Sequence, residues 1–395
     1  MLTINEKLSR LKARLNNTCE PVRILIAGLG SVGNYLLDYL VSLADPRLEI
    51  IVAGRNRERM QKDVNIVRTA ATIRRQLRSR ISVETVDLND VGSIAALLER
   101  TAPHFLVNTS RVYSGLKYGS ISWHTLRAYG VWTPLSVKFA ANIIRACIKT
   151  GCNAITINTS YSDAVIPWIK SALGYSFDFG SGNLNHLLPR MKFYVAQKFG
   201  IENLNDIDIA LATSHFHDVV VSKEGHSEGE DMAVTVRHEG RKLPVDVDEM
   251  LRACSIAMPV DQKRNMMNAS SNFDIINSII TALRSDESLL IHTPGAGGET
   301  GGYPWIINGA EATATIDTSD FSLEEMREAN RRSIYHDGIL RIEDGVLEYT
   351  PELLAKVKEV FGCTLPSPVP LADSDFVAGI LINEVITPAL EARKQ

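Results

Sequence analysis

The pattern of apolar and polar positions predicts a chain that starts with a helix and continues as repeated β–α–β units. Leu8, Leu11 and Leu15 recur at helical spacing, so residues 1–21 are predicted to hold an amphipathic helix. This helix is expected to pack on the body of the protein or on another subunit. The predicted strands of the next part are residues 23–27, 49–53, 81–86, 105–108 and 154–158. Predicted helices alternate with them, which is typical of a doubly wound parallel sheet and indicates an α/β domain over residues 22–160.

The pattern changes after about residue 180, where helices and strands no longer alternate regularly. The predicted helices there are residues 187–199, 271–284 and 323–334, and the predicted strands include 207–212, 219–222 and 232–237. This mixture predicts an α+β substrate or catalytic domain over residues 161–340. Residues 341–395 are predicted to form a C-terminal extension. With the N-terminal helix, it is expected to lie outside the catalytic unit and to serve packing or assembly.

Three glycines stand at the first junction between a strand and a helix, in the pattern Gly28-x-Gly30-x-x-Gly33 with Ser31 and Val32 inside it. The first glycine allows the turn, the second lets the backbone approach a pyrophosphate, and the third lets the helix pack closely on the strand. The N-terminus of the helix adds free N–H groups and a partial positive charge. This motif, framed by two strands, predicts a dinucleotide-binding Rossmann domain.

The end of the second strand indicates which dinucleotide binds. NAD-binding domains usually carry Asp or Glu there, whereas this chain has Arg55, Asn56 and Arg57. A guanidinium suits a phosphate monoester, so the residues favour NADP over NAD. The alternative is that both arginines are solvated loop charges. Asn108 and Asn158 end later strands and are predicted to lie around the same crevice.

Composition and charge narrow the class of protein. The net charge of −4 makes nucleic acid an unexpected partner, and no apolar run is long enough for a membrane span. The five cysteines show no CxxC spacing, and the N-terminal residues do not resemble a signal peptide. We therefore expect a cytoplasmic enzyme. No metal is expected, because the short segment His215-Phe216-His217-Asp218 does not by itself make a metal site.

Beyond the cofactor loop, the chain resembles the lactate/malate dehydrogenase superfamily over residues 23–334. The resemblance rests on Asn158 at a strand end, a Gly180-Ser181-Gly182 turn, a helix carrying Arg190, and a strand leading to His215. It implies a Rossmann domain followed by a mixed α+β substrate domain. It also implies that His215 is the catalytic acid/base and that Arg190 clamps a substrate carboxylate. Ser270 matches a position near the family's substrate, or else caps a helix beginning near residue 272.

The chain departs from the family pattern at the catalytic pair. Leu187 stands where the family has the aspartate that supports the histidine. The nearest polar substitutes are Asn185, His186, Asp218 and Asp163. His217 competes with His215 for the catalytic role. The loop of residues 111–134 is longer and more aromatic than in the family, and its cations are Arg111, Lys117 and Arg127, of which Arg111 is our candidate substrate contact.

These observations predict an NADP-dependent oxidoreductase that acts on the hydroxy/keto group of an anionic small molecule larger than, or different from, lactate or malate. One alternative is an opine- or saccharopine-type imine reductase, suggested by the residues Ala53-Gly54-Arg55-Asn56. Another is a redox-silent NADP-binding regulatory protein, suggested by the missing aspartate. A homodimer or homotetramer is expected, because such folds commonly form closed oligomers.

Overall fold

A computed structural model describes residues 1–17, 19–113, 115–229, 231–259 and 261–392. Residues 393–395 of the predicted C-terminal extension therefore lie outside the described residues. In the first half the strands are β1 Val22–Ala27, β2 Leu48–Gly54, β3 Arg80–Thr85, β4 Phe105–Asn108, β5 Ile155–Asn158 and β6 Phe179–Gly180. The helices are α1 Ile4–Asn16, α2 Ser31–Ser42, α3 Arg57–Ile73, α4 Val91–Thr101, α5 Gly115–Ile121, α6 Thr133–Thr150 and α7 Ser162–Leu173.

The second half mixes helices with short antiparallel sheets. Its strands are β7 Ile207–Ala212, β8 Ala233–His238, β9 Arg241–Lys242, β10 Ser288–Pro294, β11 Gly302–Asn308, β12 Thr313–Ile316, β13 Ile339–Glu343, β14 Val346–Tyr349 and β15 Val369–Pro370. Its helices are α8 Leu184–Phe199, α9 His215–Glu224, α10 Val247–Ala253, α11 Asn265–Ser285, α12 Leu323–His336, α13 Pro351–Phe361, α14 Ser374–Ile380 and α15 Thr387–Ala392. Among the described residues, no helix has both the length and the apolar character needed to cross a membrane.

Strands β1 to β6 form one parallel sheet in the order β3-β2-β1-β4-β5-β6. Ile24 of β1 pairs with Ile50 on one side and with Phe105 on the other. Strands β1 to β3 are added toward one edge of the sheet and strands β4 to β6 toward the other. The switch point between β1 and β4 is where such sheets bind ligands. This order confirms the predicted α/β fold with a doubly wound parallel sheet and a mixed α+β second half.

Apolar helix faces cover both sides of the sheet. One core contains buried residues of α2, α3 and α11, and Leu8, Leu11 and Leu15 of α1 belong to it. The N-terminal helix therefore packs on the body of its own chain. The other core joins α4, α6 and α7 to buried residues that follow position 340, including Leu347 and Tyr349.

The segment after residue 340 packs directly on the predicted dinucleotide-binding domain. The Tyr349 hydroxyl donates to the carbonyl of Val131 over 3.3 Å, and Lys356 Nζ donates to the carbonyl of Leu126 over 3.1 Å. Both carbonyls belong to the aromatic loop of residues 111–134. The predicted extension thus supports a wall of the candidate site, although the predicted domain boundaries themselves stay a prediction.

Two sequence predictions about local structure are wrong. Residues 219–222 are not a strand, because they lie inside α9. Phe216, Val220 and Val221 are buried at helical spacing, so packing of this face overrides the β propensity of the valines. The long helix predicted from residue 271 begins at Asn265, so Ser270 lies inside α11 and does not cap it.

Candidate active site

A cleft of about 1350 Å³ lies over the carboxyl ends of β1, β2 and β4. The glycine loop lines one part of it, and side chains of α8 and α9 line another. Aromatic residues of the loop 111–134 form a wall, namely Tyr118, Trp123, Tyr129 and Trp132. One continuous cleft therefore joins the predicted cofactor loop to the predicted catalytic histidine.

The glycine loop has the close packing that its motif predicts. Gly28 has a φ of +102°, and a Cβ there would lie 2.9 Å from Ser110 Cβ. A Cβ on Gly33 would lie 2.3 Å from the carbonyl oxygen of Gly28, so only glycine fits. Gly30 is the N-cap of α2 and lines the cleft with Ser31 and Val32. Because Gly30 has no side chain, the first N–H groups of α2 are left to a ligand, which fits a pyrophosphate.

The basic residues after β2 divide into two groups. Arg55 and Asn56 line the cleft, and the Asn56 side chain also caps α3 by accepting from the Arg59 N–H over 2.9 Å. Arg57 does not reach the cleft, because its guanidinium donates to the carbonyl of Val83 over 2.7 Å. Arg59, which the sequence analysis did not single out, lines the cleft one helical turn further on. The cationic pair facing the cofactor region is therefore Arg55 and Arg59.

Asn108 and Asn158 lie beneath the cleft and support its floor. Both are fully buried, and Asn108 Nδ2 donates to Asn158 Oδ1 over 2.9 Å. Asn108 Oδ1 accepts from the backbone N–H and the hydroxyl of Ser110, at 3.1 and 2.6 Å. The residues that line the cleft here are the neighbouring Thr109, Ser110, Thr159 and Ser160. Asn108 thus positions the hydroxyl of Ser110, and Asn158 Nδ2 holds the backbone carbonyl of Ser160 over 3.0 Å.

His215 lines the cleft and is paired with a carboxylate. It is the first residue of α9, and its Nδ1 lies 3.0 Å from Oδ2 of Asp337. Asp337 is fully buried, and it also accepts from the Tyr161 hydroxyl and from the Tyr129 N–H, each over 2.7 Å. Burial alone lowers the pKa of His215, but the adjacent Asp337 carboxylate outweighs it and holds that pKa above its usual value.

The rings of Tyr129 and Tyr161 fix the position of the imidazole. Both meet it edge-on, with ring centroids 4.8 and 5.1 Å from that of His215. Since Nδ1 faces Asp337, Nε2 is the ring nitrogen left for a ligand. A carboxylate, an oriented imidazole and an open cleft together make a group that can take or give a proton.

Asp337 is the residue that the sequence analysis missed. It is 122 positions away from His215 along the chain and follows directly after α12. Leu187, at the family's aspartate position, is fully buried in an apolar core. One signal was available in the sequence. The helix dipole disfavours an aspartate at the C-terminal end of a helix, so an aspartate at that position indicates a role other than helix formation.

The other carboxylates considered have different partners. Asp163 is fully buried, and its Oδ1 accepts from the backbone N–H of His215 over 3.0 Å. Its other oxygen accepts from the Asn183 side chain. Burial raises the pKa of Asp163 to about 6. Asp163 therefore holds the start of α9 in place and does not bind the imidazole. Asn185 donates to Ser271 over 2.7 Å, away from His215.

His217 points to the opposite side of α9. Its Nδ1 lies 2.7 Å from the Ser333 hydroxyl, and its Nε2 accepts from the backbone N–H of Glu228 over 3.1 Å. It is fully buried, and burial lowers its pKa to about 4. The structure thus brings His215, and not His217, into the cleft.

The predicted substrate contacts are only partly brought together. Arg190 is 3% exposed and lines the cleft, with Nη1 donating to the carbonyl of Cys254 over 3.0 Å. Arg111 also lines the cleft. Ser270 does not, because it lies on the exposed face of α11, where its hydroxyl donates to the carbonyl of Met266 over 2.8 Å.

One group of described residues has the spacing of metal ligands. Glu224, His226 and Glu228 lie at the surface near the end of α9. Both glutamates are already paired with the guanidinium of Arg127. This ion pair also explains why Arg127, a cation of the aromatic loop, faces away from the cleft. Lys117 of the same loop lies over the ring of Tyr113, 4.9 Å from its centroid.

Comparisons with known proteins agree with the geometry. Residues 24–118 match the family described as the saccharopine dehydrogenase NADP binding domain. A comparison of the sequence with curated proteins gives no match. This family match confirms the predicted NADP-binding domain, and it covers the glycine loop, the basic strand end and the start of the aromatic loop.

Similar solved structures are malate and lactate dehydrogenases. The malate dehydrogenase of Aeropyrum pernix has 14% identity and a TM-score of 0.52, covering 80% of this chain and 97% of that one. The malate dehydrogenase of Picrophilus torridus has 13% identity and a TM-score of 0.52, covering 80% and 96%. The lactate dehydrogenase of Eimeria maxima has 14% identity and a TM-score of 0.50, covering 80% and 93%. The chain therefore carries an NAD(P)-binding domain of the dehydrogenase type, on a fold shared with malate and lactate dehydrogenases.

Proposed function

We propose that this protein is an NADP-dependent oxidoreductase acting on the hydroxy/keto group of an anionic small molecule. The observation that carries the proposal is the pairing of His215 with the buried Asp337 inside the cleft that also contains the cofactor loop. NADP, when bound, supplies hydride chemistry at its nicotinamide. Gly28, Gly30 and Arg55 are the residues expected to hold it.

The role of His215 is to carry the proton that accompanies the hydride. In alcohol oxidation the neutral imidazole accepts the hydroxyl proton at Nε2, while Nδ1–H stays bonded to Asp337. The resulting imidazolium is stabilised by that carboxylate. In the reverse direction the imidazolium returns the proton to the carbonyl oxygen. Tyr161 and Tyr129 keep Asp337 in place through their bonds to its two oxygens.

The expected substrate is an anion that is larger than, or different from, lactate or malate. Arg190 and Arg111 line the cleft and are suited to bind a carboxylate. Nη1 of Arg190 donates to the backbone carbonyls of Ser222 and Cys254, which orients the guanidinium before a ligand arrives. The cleft volume of about 1350 Å³ exceeds the roughly 300–1,000 Å³ that is typical of small-molecule sites, and aromatic residues form its wall.

A second candidate is the reduction of an imine, as in opine- or saccharopine-type enzymes. The observation that favours it is the family match over residues 24–118. The third idea, a redox-silent NADP-binding regulator, depended on the missing family aspartate. Asp337 supplies a carboxylate beside His215, so the missing family aspartate no longer favours a redox-silent protein.

The proposal is tested by following nicotinamide absorbance with NADPH and a panel of 2-keto acids, each with and without an added amine. Turnover with a keto acid alone supports the hydroxy/keto reaction. Turnover that needs the amine supports imine reduction instead. Absence of turnover in both arms and in the reverse direction, with intact NADPH binding, would contradict an oxidoreductase function.

A further inference from the structure

Five residues that line the cleft each keep one buried polar side-chain atom without a partner among the described residues, and two of them are Trp132 and Ser160. The other three atoms belong to the facing helices α8 and α9 and are Nε2 of His186, Nε of Arg190 and Oδ1 of Asp218. All three residues line the cleft, and Arg190 and Asp218 are 3% and 6% exposed. Buried polar groups are nearly always hydrogen-bonded, so three neighbouring exceptions in one wall of a cleft point to a ligand.

The fold places these side chains on facing helices. His186 and Arg190 are four residues apart on α8 and therefore lie on one face of it. Asp218 is on α9, and its Oδ2 lies 3.6 Å from Nδ1 of His186. That separation is too long for a good hydrogen bond, so His186 does not satisfy the carboxylate of Asp218. The three side chains thus form a polar group that is not complete by itself.

The chemistry of the group is of two kinds. Arg190 offers a permanent cation whose remaining N–H can donate, whereas Asp218 offers a carboxylate oxygen that can accept. A simple anion would satisfy Arg190 but would be repelled by Asp218. A simple cation would satisfy Asp218 but would be repelled by Arg190. A ligand group that satisfies both carries a carboxylate and an ammonium or secondary amine close together, which describes the zwitterionic head of an α-amino acid.

The group begins one turn along α9 from the candidate proton carrier and extends away from it. His215, Asp218 and Ser222 follow one face of α9, and Ser222 lines the cleft beside Arg190, whose Nη1 lies 3.5 Å from the Ser222 carbonyl oxygen. At 1.5 Å rise per residue, Asp218 lies about 4.5 Å and Ser222 about 10 Å along the helix from His215. A ligand head held here would place its side chain, and not its own α-carbon, toward His215.

We propose that His186, Arg190 and Asp218 form a subsite for the zwitterionic head of an amino acid whose side chain extends toward His215. This inference rests on the proposed function for the direction in which the ligand lies, but the subsite itself binds without turnover. It narrows the substrate class from an anion to an amino acid that carries the reacting carbon in its side chain.

The test is isothermal titration calorimetry of the NADP-saturated protein with three probes of one length. Norleucine has both head groups, hexanoate lacks the amine, and pentylamine lacks the carboxylate. We expect norleucine to bind at least about tenfold more tightly than either analogue. Asp218→Asn is expected to lower norleucine affinity to that of hexanoate, while hexanoate affinity changes by less than about twofold. Asp208→Asn, an exposed aspartate on β7, is the matched control and should leave all three affinities unchanged.

His186→Gln gives a second variant if Asp218→Asn does not fold, and it is expected to weaken norleucine binding without changing hexanoate binding. Equal affinities for norleucine and hexanoate, or no measurable binding of norleucine, would overturn the subsite. Because the readout is heat of binding, these results are separate from the proposed function. Discrimination for norleucine in a protein that never oxidises NADPH would refute the oxidoreductase proposal and leave the subsite standing.

Discussion

Asp337→Asn is the substitution from which the structure predicts the most specific effect. The backbone N–H of Tyr129 is a fixed donor 2.7 Å from Oδ1, so the carbonyl oxygen of the new amide is expected to face it. The amide nitrogen then faces Nδ1 of His215 and donates to it. This forces the ring proton onto Nε2, so the ring cannot accept a proton from an alcohol. In the reverse direction the imidazolium is destabilised, because its Nδ1–H and the amide N–H would face each other as two donors.

The size of the effect follows from the geometry of the pair. Two unit charges 3.0 Å apart attract by about 5.5 kcal/mol at an effective dielectric constant of about 20. Part of this attraction is offset by desolvation of both groups, and general acid–base catalysis contributes at most about 10⁴-fold. We therefore expect turnover to fall by about 10²- to 10³-fold, which corresponds to about 3–4 kcal/mol in the activation barrier.

The assay is the pH dependence of NADPH oxidation with the substrate found in the keto-acid panel. Asp337 holds the pKa of His215 above its usual value, so reduction by the native protein should decline only as the pH rises through that raised pKa. Loss of the carboxylate lowers the pKa, so the declining limb should move to lower pH. Asp344→Asn, on an exposed turn seven residues away, is the matched control. Unchanged turnover and an unshifted pH profile in Asp337→Asn would refute this role of the pair.

Three further predictions concern the cofactor, the fold and assembly. NADP is expected to bind at least about tenfold more tightly than NAD, and Arg55→Ala should remove about 1.4 kcal/mol of NADP binding, as measured by fluorescence titration. Arg57→Ala should leave it unchanged, because that side chain is held by a β3 carbonyl. Lys7→Ala should lower the free energy of unfolding by about 3–5 kcal/mol in urea denaturation, since it leaves the buried Asp178 carboxylate without its cationic partner, whereas Lys12→Ala on the same helix should have a much smaller effect. Sedimentation at micromolar concentration should show a dimer or tetramer, and a strict monomer would contradict the predicted assembly.

The cofactor half of the molecule could be predicted from the sequence because its determinants are local. Gly28 and Gly33 lie five positions apart, and their packing depends on one turn and one helix. The basic strand end follows directly after β2. The sequence nevertheless predicts a cofactor contact for Arg57 that the structure does not show, because spacing along the chain does not tell which way a side chain at the start of a helix turns.

The substrate half depends on contacts between distant parts of the chain, and there the sequence was a weaker guide. The carboxylate beside His215 comes from Asp337, at the end of α12, and no periodicity links the two. The valines of residues 219–221 favour a strand by propensity, but the packing of Phe216 and Val220 makes them helical. The resemblance singles out His215, which lines the cleft, and Ser270, which lies outside it on the exposed face of α11.

The most direct test of the central claim is a single-turnover measurement of NADPH oxidation in His215→Asn and His217→Asn, with NADPH affinity measured alongside. The account predicts that His215→Asn slows the oxidation by about a hundredfold or more while NADPH affinity stays near that of the native protein. The folded His217→Asn variant should oxidise NADPH near the native rate, because the ring of His217 faces Ser333 and not the cleft. Full activity in His215→Asn would contradict the assignment of His215 as the proton carrier.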